Sequence, residues 1–302
     1  MHEDTVQLLS EFEKKGYLGE QIRCFYLSDC SDLEFESHYH DFHKIMIFLQ
    51  GDVEYTIEGK SYLLEPNDVV IVNRNEIHKL KIDKGKIYER IIFYIDPGFL
   101  EKYTTNEYNL MECMDKAGKE HLNVIRISNF RQSRISKTVS EMKCSLDMEN
   151  TSGDPDCRRH TFAHPLYLEI LFVEFMILLN REVLGEHTEY VITDICNEKV
   201  IEIMNYINHN LQLDLSIEEL SKKFFMSKYH MMRVFKQETG YTIGNYITNK
   251  RLFQARELIL QGCTVMDACF ESGFKDHSTF SRAYKKVFLE SPVKAKIKNN
   301  KI

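Results

Sequence analysis

Two arginines, Arg233 and Arg282, stand 49 residues apart in nearly the same surroundings. A guanidinium is a rigid fork of donors that matches the O6 and N7 acceptors of guanine in the major groove. Around the first arginine lie Lys228, Tyr229, Met232 and Lys236; around the second lie His277, Ser278, Ser281, Lys285 and Lys286. Lysines in such company suit phosphates, which fix orientation without reading sequence. The hydroxyl and imidazole groups suit base edges, and Met232 can offer only apolar contact, for example to a thymine methyl. A second set of chemically capable residues lies near the other end: His38, His40, His43, Lys44 and His78. Imidazoles two apart on a strand point the same way, so they can hold a metal or bond to a small ligand.

The elements around the arginines are written twice. Shifted by 49 positions, Phe225 falls on Phe274, Met231 on Phe280, Arg233 on Arg282, Phe235 on Tyr284 and Lys236 on Lys285. Ser216 to Glu219 has the form of a capping box, and Ser227 suits the N-cap of the next helix. Ile217, Leu220 and Phe224 make an apolar stripe; Met231, Val234 and Phe235 make another. Gly240 can close that helix in a left-handed conformation. The second copy opens at Thr264 with Asp267 in the box position, and its first helix is expected to stop near Gly273. Each copy is a brace helix followed by a helix with one apolar and one basic or polar face. A helix-turn-helix requires that layout, because the second helix must pack inward and read outward.

With those residues in view, the segments 216–240 (SIEELSKKFFMSKYHMMRVFKQETG), 246–255 (YITNKRLFQA) and 272–286 (SGFKDHSTFSRAYKK), with Ser291-Pro292, resemble the DNA-binding domain of AraC/XylS-type transcription regulators. The resemblance implies a long helix, here Tyr246–Leu260, that joins two reading heads on one face of a duplex. It makes Lys228, Tyr229, Met232, Arg233, Lys236, His277, Ser278, Ser281, Arg282 and Lys285 the candidate DNA-binding residues. Two positions depart from the pattern: Leu289 stands where glycine is usual, and Cys269 where alanine is usual.

Toward the amino terminus, residues 3–16 suggest a short amphipathic helix. From Gln21 the pattern alternates. Ile22, Cys24 and Tyr26, then Phe48, Val53, Tyr55 and Ile57, lie at period two, and turns fall at Glu58-Gly59-Lys60, Pro66-Asn67-Asp68 and Arg74-Asn75-Glu76. Val69–Val72 and Tyr88–Ile95 complete a set of short strands that predicts a small β-barrel or jelly roll. Residues 38–78 resemble the cupin-type sensor domain of the same family. In cupin enzymes His38, His40 and His78 would be metal ligands, but Lys44 sits about where a glutamate is expected, and an ammonium is a poor neighbour for a divalent cation. The expectation is a ligand-binding set of His38, His40, His43, Lys44 and His78, with no metal, no cofactor and no catalytic residue.

Short helices are expected at Phe99–Tyr103 and Leu110–Ala117, and a longer one between Arg131 and Leu146. Residues 150–156 read as loop. Leu166–Leu184 reads as a long apolar helix whose wide face, with Leu168, Leu171, Phe172, Phe175, Leu178 and Leu179 and broadened by Met176 and Ile177, either packs on the barrel or pairs two copies of the chain. The domain boundaries are then 1–105 for the barrel, 106–184 for a helical dimerisation segment, 185–198 for a linker and 199–302 for the DNA-binding domain. The fold class is α+β, with an all-α carboxy-terminal domain that begins on a bracing helix at Val200–Leu211.

Charge follows this division. The 302-residue chain carries a net −7, yet from Asn197 onward seventeen Lys and Arg face eleven Asp and Glu, a local +6 against −13 before it. A basic module suits phosphates, and the acidic one does not. No apolar run is long enough for a membrane span, the first residues lack signal-peptide order, and the eight cysteines have no CxxC spacing. A cytoplasmic setting is expected. The sequence thus predicts a sequence-specific regulator, an activator on family grounds, with promoter DNA, RNA polymerase, a small-molecule effector and a second copy of itself as partners. The alternatives are a metal-dependent cupin enzyme fused to a DNA-binding domain and an architectural DNA protein without sequence preference.

Overall fold

The computed structural model of the protein describes residues 18, 21–30, 35–83, 85–151, 162–185, 189–193 and 197–299. The expected helix at 3–16 and most of the loop at 150–156 lie outside them. The chain forms two compact units that divide near residue 196.

The first unit is built on two antiparallel sheets. Its strands are β1 (Ile22–Asp29), β2 (Phe35–His38), β3 (His43–Gln50), β4 (Val53–Ile57), β5 (Lys60–Leu63), β6 (Val69–Val72), β7 (His78–Ile82), β8 (Tyr88–Ile95), β9 (Val124–Arg126) and β10 (Glu189–Tyr190). Six of them order as β1-β8-β3-β6-β9-β10, and four as β2-β7-β4-β5. The expected hairpin turn is present: Glu58 at φ 44° and Gly59 at φ 82° are two left-handed central residues, which a two-residue hairpin favours. Asn67 and Asn75 supply positive φ at the next two turns.

Alternation decides which side chains go where. On β3, Met46 and Phe48 enter a core with Phe25, Tyr55, Tyr62 and Leu80, between the sheets. Ile45 and Ile47 enter a separate core on the other face, with Phe93, Phe99, Phe172 and Phe175. The larger sheet is therefore covered on both faces, which explains why β3, β6 and β8 read as nearly continuous apolar runs rather than as alternation. The covering helices are α1 (Pro97–Glu101), α2 (Glu112–Glu120), α3 (Arg134–Thr151) and α4 (His164–Leu184). The Phe93 ring lies 4.8 Å from that of Phe172 and 6.0 Å from that of Phe175.

Two expectations change here. Of the wide face expected on α4, Leu171, Phe172, Phe175, Leu178 and Leu179 are buried, with Leu168 packed at the edge of the same core. The exposed large hydrophobic residues of α4 are Leu166, Tyr167, Ile170, Ile177 and Leu184; of these only Ile177 belonged to the expected face, and Leu166, Ile170, Ile177 and Leu184 line up as one stripe. Within the stretch read as linker, Glu189–Tyr190 pairs with β9.

The second unit is all helical: α5 (Glu198–His209), α6 (Ile217–Lys223), α7 (Lys228–Thr239), α8 (Ile243–Leu260), α9 (Val265–Glu271), α10 (His277–Phe288) and α11 (Pro292–Asn299). Val200, Ile203, Met204 and Ile207 of α5 are buried, as their spacing predicts. The joining helix begins at Ile243, three residues earlier than expected, because Thr242 caps it by accepting from Asn245 N at 3.2 Å. It buries Tyr246, Ile247, Leu252, Phe253, Ala255 and Ile259. Among the described residues no helix is long and apolar enough to cross a membrane.

Candidate functional site

Each reading helix is set by a cap and an inward stripe. Ser227 Oγ accepts from His230 N at 3.3 Å to start α7, and Met231 and Phe235 are fully buried on it. Asp276 Oδ2 accepts from Thr279 N at 2.6 Å to start α10, and Phe280 and Tyr284 take the buried places. The brace helices start in the same way: Ser216 accepts from Glu219 N at 3.2 Å, and Thr264 from Asp267 N at 3.1 Å. Gly240 ends α7 at φ 78°; Leu289 ends α10 at φ 56°, a left-handed conformation without glycine.

The repeat is not one constant shift. The brace helices and their exits correspond at 48 residues: Ser216 with Thr264, and Met226 N→Ser221 O with Phe274 N→Cys269 O. The reading helices correspond at 49. The second turn is therefore one residue longer. Phe225, at φ 52° and 96% exposed, is the counterpart of Gly273 at φ 90°, not of Phe274, which packs into the core of the second head. The pairing expected from sequence matched two phenylalanines of different conformation and different surroundings.

On α7, Tyr229, Arg233 and Lys236 lie at i, i+4 and i+7, one exposed stripe opposite the buried one, with Met232 beside it. On α10, Ser278, Arg282 and Lys285 form the same stripe, with Ser281 beside it and His277 at the start, both half-buried. Neither Arg233 nor Arg282 is ion-paired among the described residues. Arg233 Nη1 reaches Gln237 Oε1 at 3.5 Å, and Arg282 Nε donates to Ser278 O at 3.3 Å. Both guanidinium groups thus remain directed outward. Lys228 is committed differently: it pairs with Glu218, tying the reading helix to its brace and holding the Glu218 carboxyl below its usual range.

In the first unit a polar cluster lies between the two sheets. His38 and His78 are cross-strand partners on the smaller sheet, and their rings are 4.2 Å apart. His40 stacks on Phe42 at 4.0 Å and lies 4.9 Å from His78. From the larger sheet come Lys44 and its cross-strand partner Tyr94. The Lys44 ammonium sits 5.8 Å from the Tyr94 ring and 5.9 Å from that of Tyr55. Lys44, His40 and His78 are all at most 2% exposed. The tyrosines were missed at the level of sequence, though the alternation of β4 and β8 puts them on this face. His43 does not belong to the cluster. It neighbours Lys44 on a strand, so it faces the other way, and its Nδ1 bonds to Asn73 Oδ1 at 3.2 Å.

The histidine tautomers follow from their partners. A carbonyl only accepts, so Nδ1 of His40, 2.7 Å from Phe42 O, and Nδ1 of His78, 3.1 Å from Glu76 O, each carry the proton. Burial, with help from Lys44 and neighbouring imidazoles, pushes both pKa values well below the usual histidine range, so the rings are neutral. Each Nε2 is then a buried lone pair with no hydrogen-bond partner among the described residues. Two acceptors beside an ammonium and two tyrosine rings suit a ligand that donates to imidazole and accepts from lysine. A cation suits the site poorly, since Lys44 contributes positive charge, and no group of three His, Cys, Asp or Glu among the described residues is arranged to hold a metal ion.

A basic tandem helix-turn-helix unit on the same chain as a two-sheet domain with a buried polar cluster defines a class: a DNA-binding transcription regulator with a ligand-binding domain. Comparison with known proteins agrees. Residues 220–296 match the helix-turn-helix domain family, and residues 24–117 match the AraC-like ligand binding domain. The chain is 23% identical over 260 residues to the HTH-type transcriptional activator RhaS of Klebsiella pneumoniae, covering 85% of this chain and 86% of that one. It is 21% identical over 248 residues to the uncharacterized HTH-type transcriptional regulator YbfI of Bacillus subtilis, covering 81% of each. Among solved structures, ToxT of Vibrio cholerae aligns over 93% of this chain and 99% of its own at 12% identity, with a TM-score of 0.36. The chain thus carries a helix-turn-helix domain and an AraC-like ligand-binding domain, the two parts expected of an AraC/XylS-type transcription regulator, and the relatives it resembles are HTH-type transcription regulators.

Proposed function

We propose that this protein activates transcription by reading promoter DNA with α7 and α10 and by sensing a small molecule between its two sheets. The carrying observation is the matched pair Arg233 and Arg282, each exposed, without an ion pair among the described residues and equally placed on a capped helix. Activation is supported by the RhaS relatives, which are HTH-type transcriptional activators, and it requires contact with RNA polymerase. The exposed stripe Leu166, Ile170, Ile177 and Leu184 supports a homodimer, which would bring two pairs of reading heads to one operator. The barrel is read as a sensor rather than an enzyme, because its polar cluster is shaped for hydrogen bonding and includes an ammonium where a metal site would need a carboxylate. In this reading His38, His40, Lys44 and His78 contact the effector, and His43 supports the barrel wall.

The test is a binding competition with the full chain. Selection from a random duplex pool should yield a defined site, and Arg282→Ala should weaken that site by about 1–3 kcal/mol with little effect on scrambled DNA. Lys285→Ala should weaken both alike and reduce the salt dependence. Equal loss of specific and scrambled binding for Arg282→Ala would leave that arginine a mere backbone contact. A chain that selects no sequence would return the protein to the architectural class.

A further inference from the structure

The caps and buried residues of α7 and α10 superimpose at a shift of 49 residues, so their outward positions can be compared one by one. Arg233 matches Arg282, and Lys236 matches Lys285. The other two reading positions differ in kind. Tyr229, 75% exposed, stands where the second head has Ser278, and Met232, 43% exposed, stands where it has Ser281. The shared arginine and lysine provide the same guanine and phosphate chemistry to both heads. The difference is an aromatic ring and a thioether against two hydroxyls.

An exposed methionine has no donor and only a weak acceptor. Beside a base edge it gains by covering apolar surface, and the only apolar group in the major groove is the C5-methyl of thymine. A tyrosine ring one turn away on the same face adds area of the same character. A serine at those positions can donate or accept, and it is too short to cover a methyl group as Met232 would. Building the first head with these side chains at the surface is unfavourable in water unless something covers them.

We infer that the two heads require chemically different half-sites: the first, through Tyr229 and Met232, reads thymine methyl groups, and the second, through Ser278 and Ser281, reads hydrogen-bonding edges. This rests on the DNA-binding reading above. The operator is then asymmetric within each protomer's footprint, with a thymine-rich box under α7 and a box without that requirement under α10. That asymmetry fixes the direction in which the protomer lies on the duplex.

The experiment replaces thymine by deoxyuridine, which pairs identically and lacks only the methyl. A site is first selected from a random duplex pool with the full chain, and the selection is repeated with a Tyr229→Ser, Met232→Ser double variant. Both residues are exposed, and circular dichroism checks that the variant folds. The box whose sequence changes is the one under α7. Deoxyuridine in that box should weaken the parent by about fourfold per methyl group, the equivalent of one methylene left uncovered, and should leave the double variant unaffected. Deoxyuridine in the other box should leave both proteins unaffected. Specific binding by the parent that is indifferent to the loss of methyl groups under α7 overturns the inference and spares the regulator reading. So does a thymine effect that persists in the double variant. Absence of any sequence-specific binding by the parent overturns the regulator reading, and the inference with it.

Discussion

The carbonyl oxygen of Leu211 accepts a hydrogen bond from Arg251 Nε at 2.9 Å, while Arg251 Nη2 donates to Leu213 O at 2.7 Å. The chain leaving α5 is thus clamped by the helix that joins the two reading heads. Gly273, in the turn of the second head, is pressed into the same place. A Cβ on it would lie 2.1 Å from Leu211 O and 2.9 Å from Arg251 Nε, and its φ of +90° disfavours a side chain independently. Gly273→Ala must therefore displace backbone or break the clamp. The expected cost is about 2–4 kcal/mol, seen as a lowered midpoint in thermal unfolding. An unchanged midpoint would mean that the turn relaxes freely.

Much of the helical unit was legible because its signals are local. Caps at Ser216, Ser227 and Thr264, the left-handed Gly240 and the stripes of Met231 and Phe235 are all set by neighbours within a turn or two. The one-residue difference between the turns was not legible, because Phe225 and Phe274 are the same residue type by coincidence of register. The barrel was legible as strands, not as a cluster. Tyr94 meets Lys44 only through the pairing of β3 with β8, and strand pairing is a long-range property. His43 is different: strict alternation beside Lys44 already places it on the opposite face, and only its proximity in sequence suggested otherwise.

Phe225 and Leu289 hold left-handed conformations that glycine adopts without penalty, at φ 52° and 56°. Both side chains are largely exposed, at 96% and 71%, so replacing them removes little packing. Phe225→Gly and Leu289→Gly are each expected to stabilise the protein by up to about 1 kcal/mol, relief of steric strain outweighing the added freedom of the unfolded chain. Urea unfolding of the single and double variants checks this. A loss of stability at Phe225 would show that its ring is held by contacts after all. A gain there combined with weaker DNA binding would show that the strained aromatic is kept for function.

The apolar stripe on α4 makes a prediction about association. Leu166, Ile170, Ile177 and Leu184 recur at four- and seven-residue intervals on the side away from the sheet. Their burial in a second copy would remove from water surface that the fold itself leaves open. Ile170→Glu together with Ile177→Glu should convert a dimer to a monomer in sedimentation, with the circular dichroism spectrum unchanged. A parent chain that sediments as a monomer at all concentrations, or a variant that stays dimeric, would remove this stripe from the interface.

Acid should destabilise the first unit before its carboxylates titrate. Burial depresses the pKa of His43 to about 4, with the Arg74 charge adding to the effect, and depresses His40 and His78 well below the ordinary value. In the unfolded chain all three protonate near pH 6.5. Between that pH and the folded-state values, the unfolded chain binds more protons, so lowering the pH favours unfolding. The stability these neutral rings allow is complete above about pH 6.5 and is lost as pH falls, by about 1.4 kcal/mol per pH unit for each site. The slope should be visible in urea unfolding between about pH 7 and pH 5, where exposed carboxylates remain charged. His43→Gln should reduce it by about one site's share, because glutamine does not titrate. A midpoint independent of pH over that window would mean that the three rings take up protons alike in the folded and the unfolded chain, and the assignment of neutral rings with Nε2 as a lone pair on His40 and His78 would fail with it.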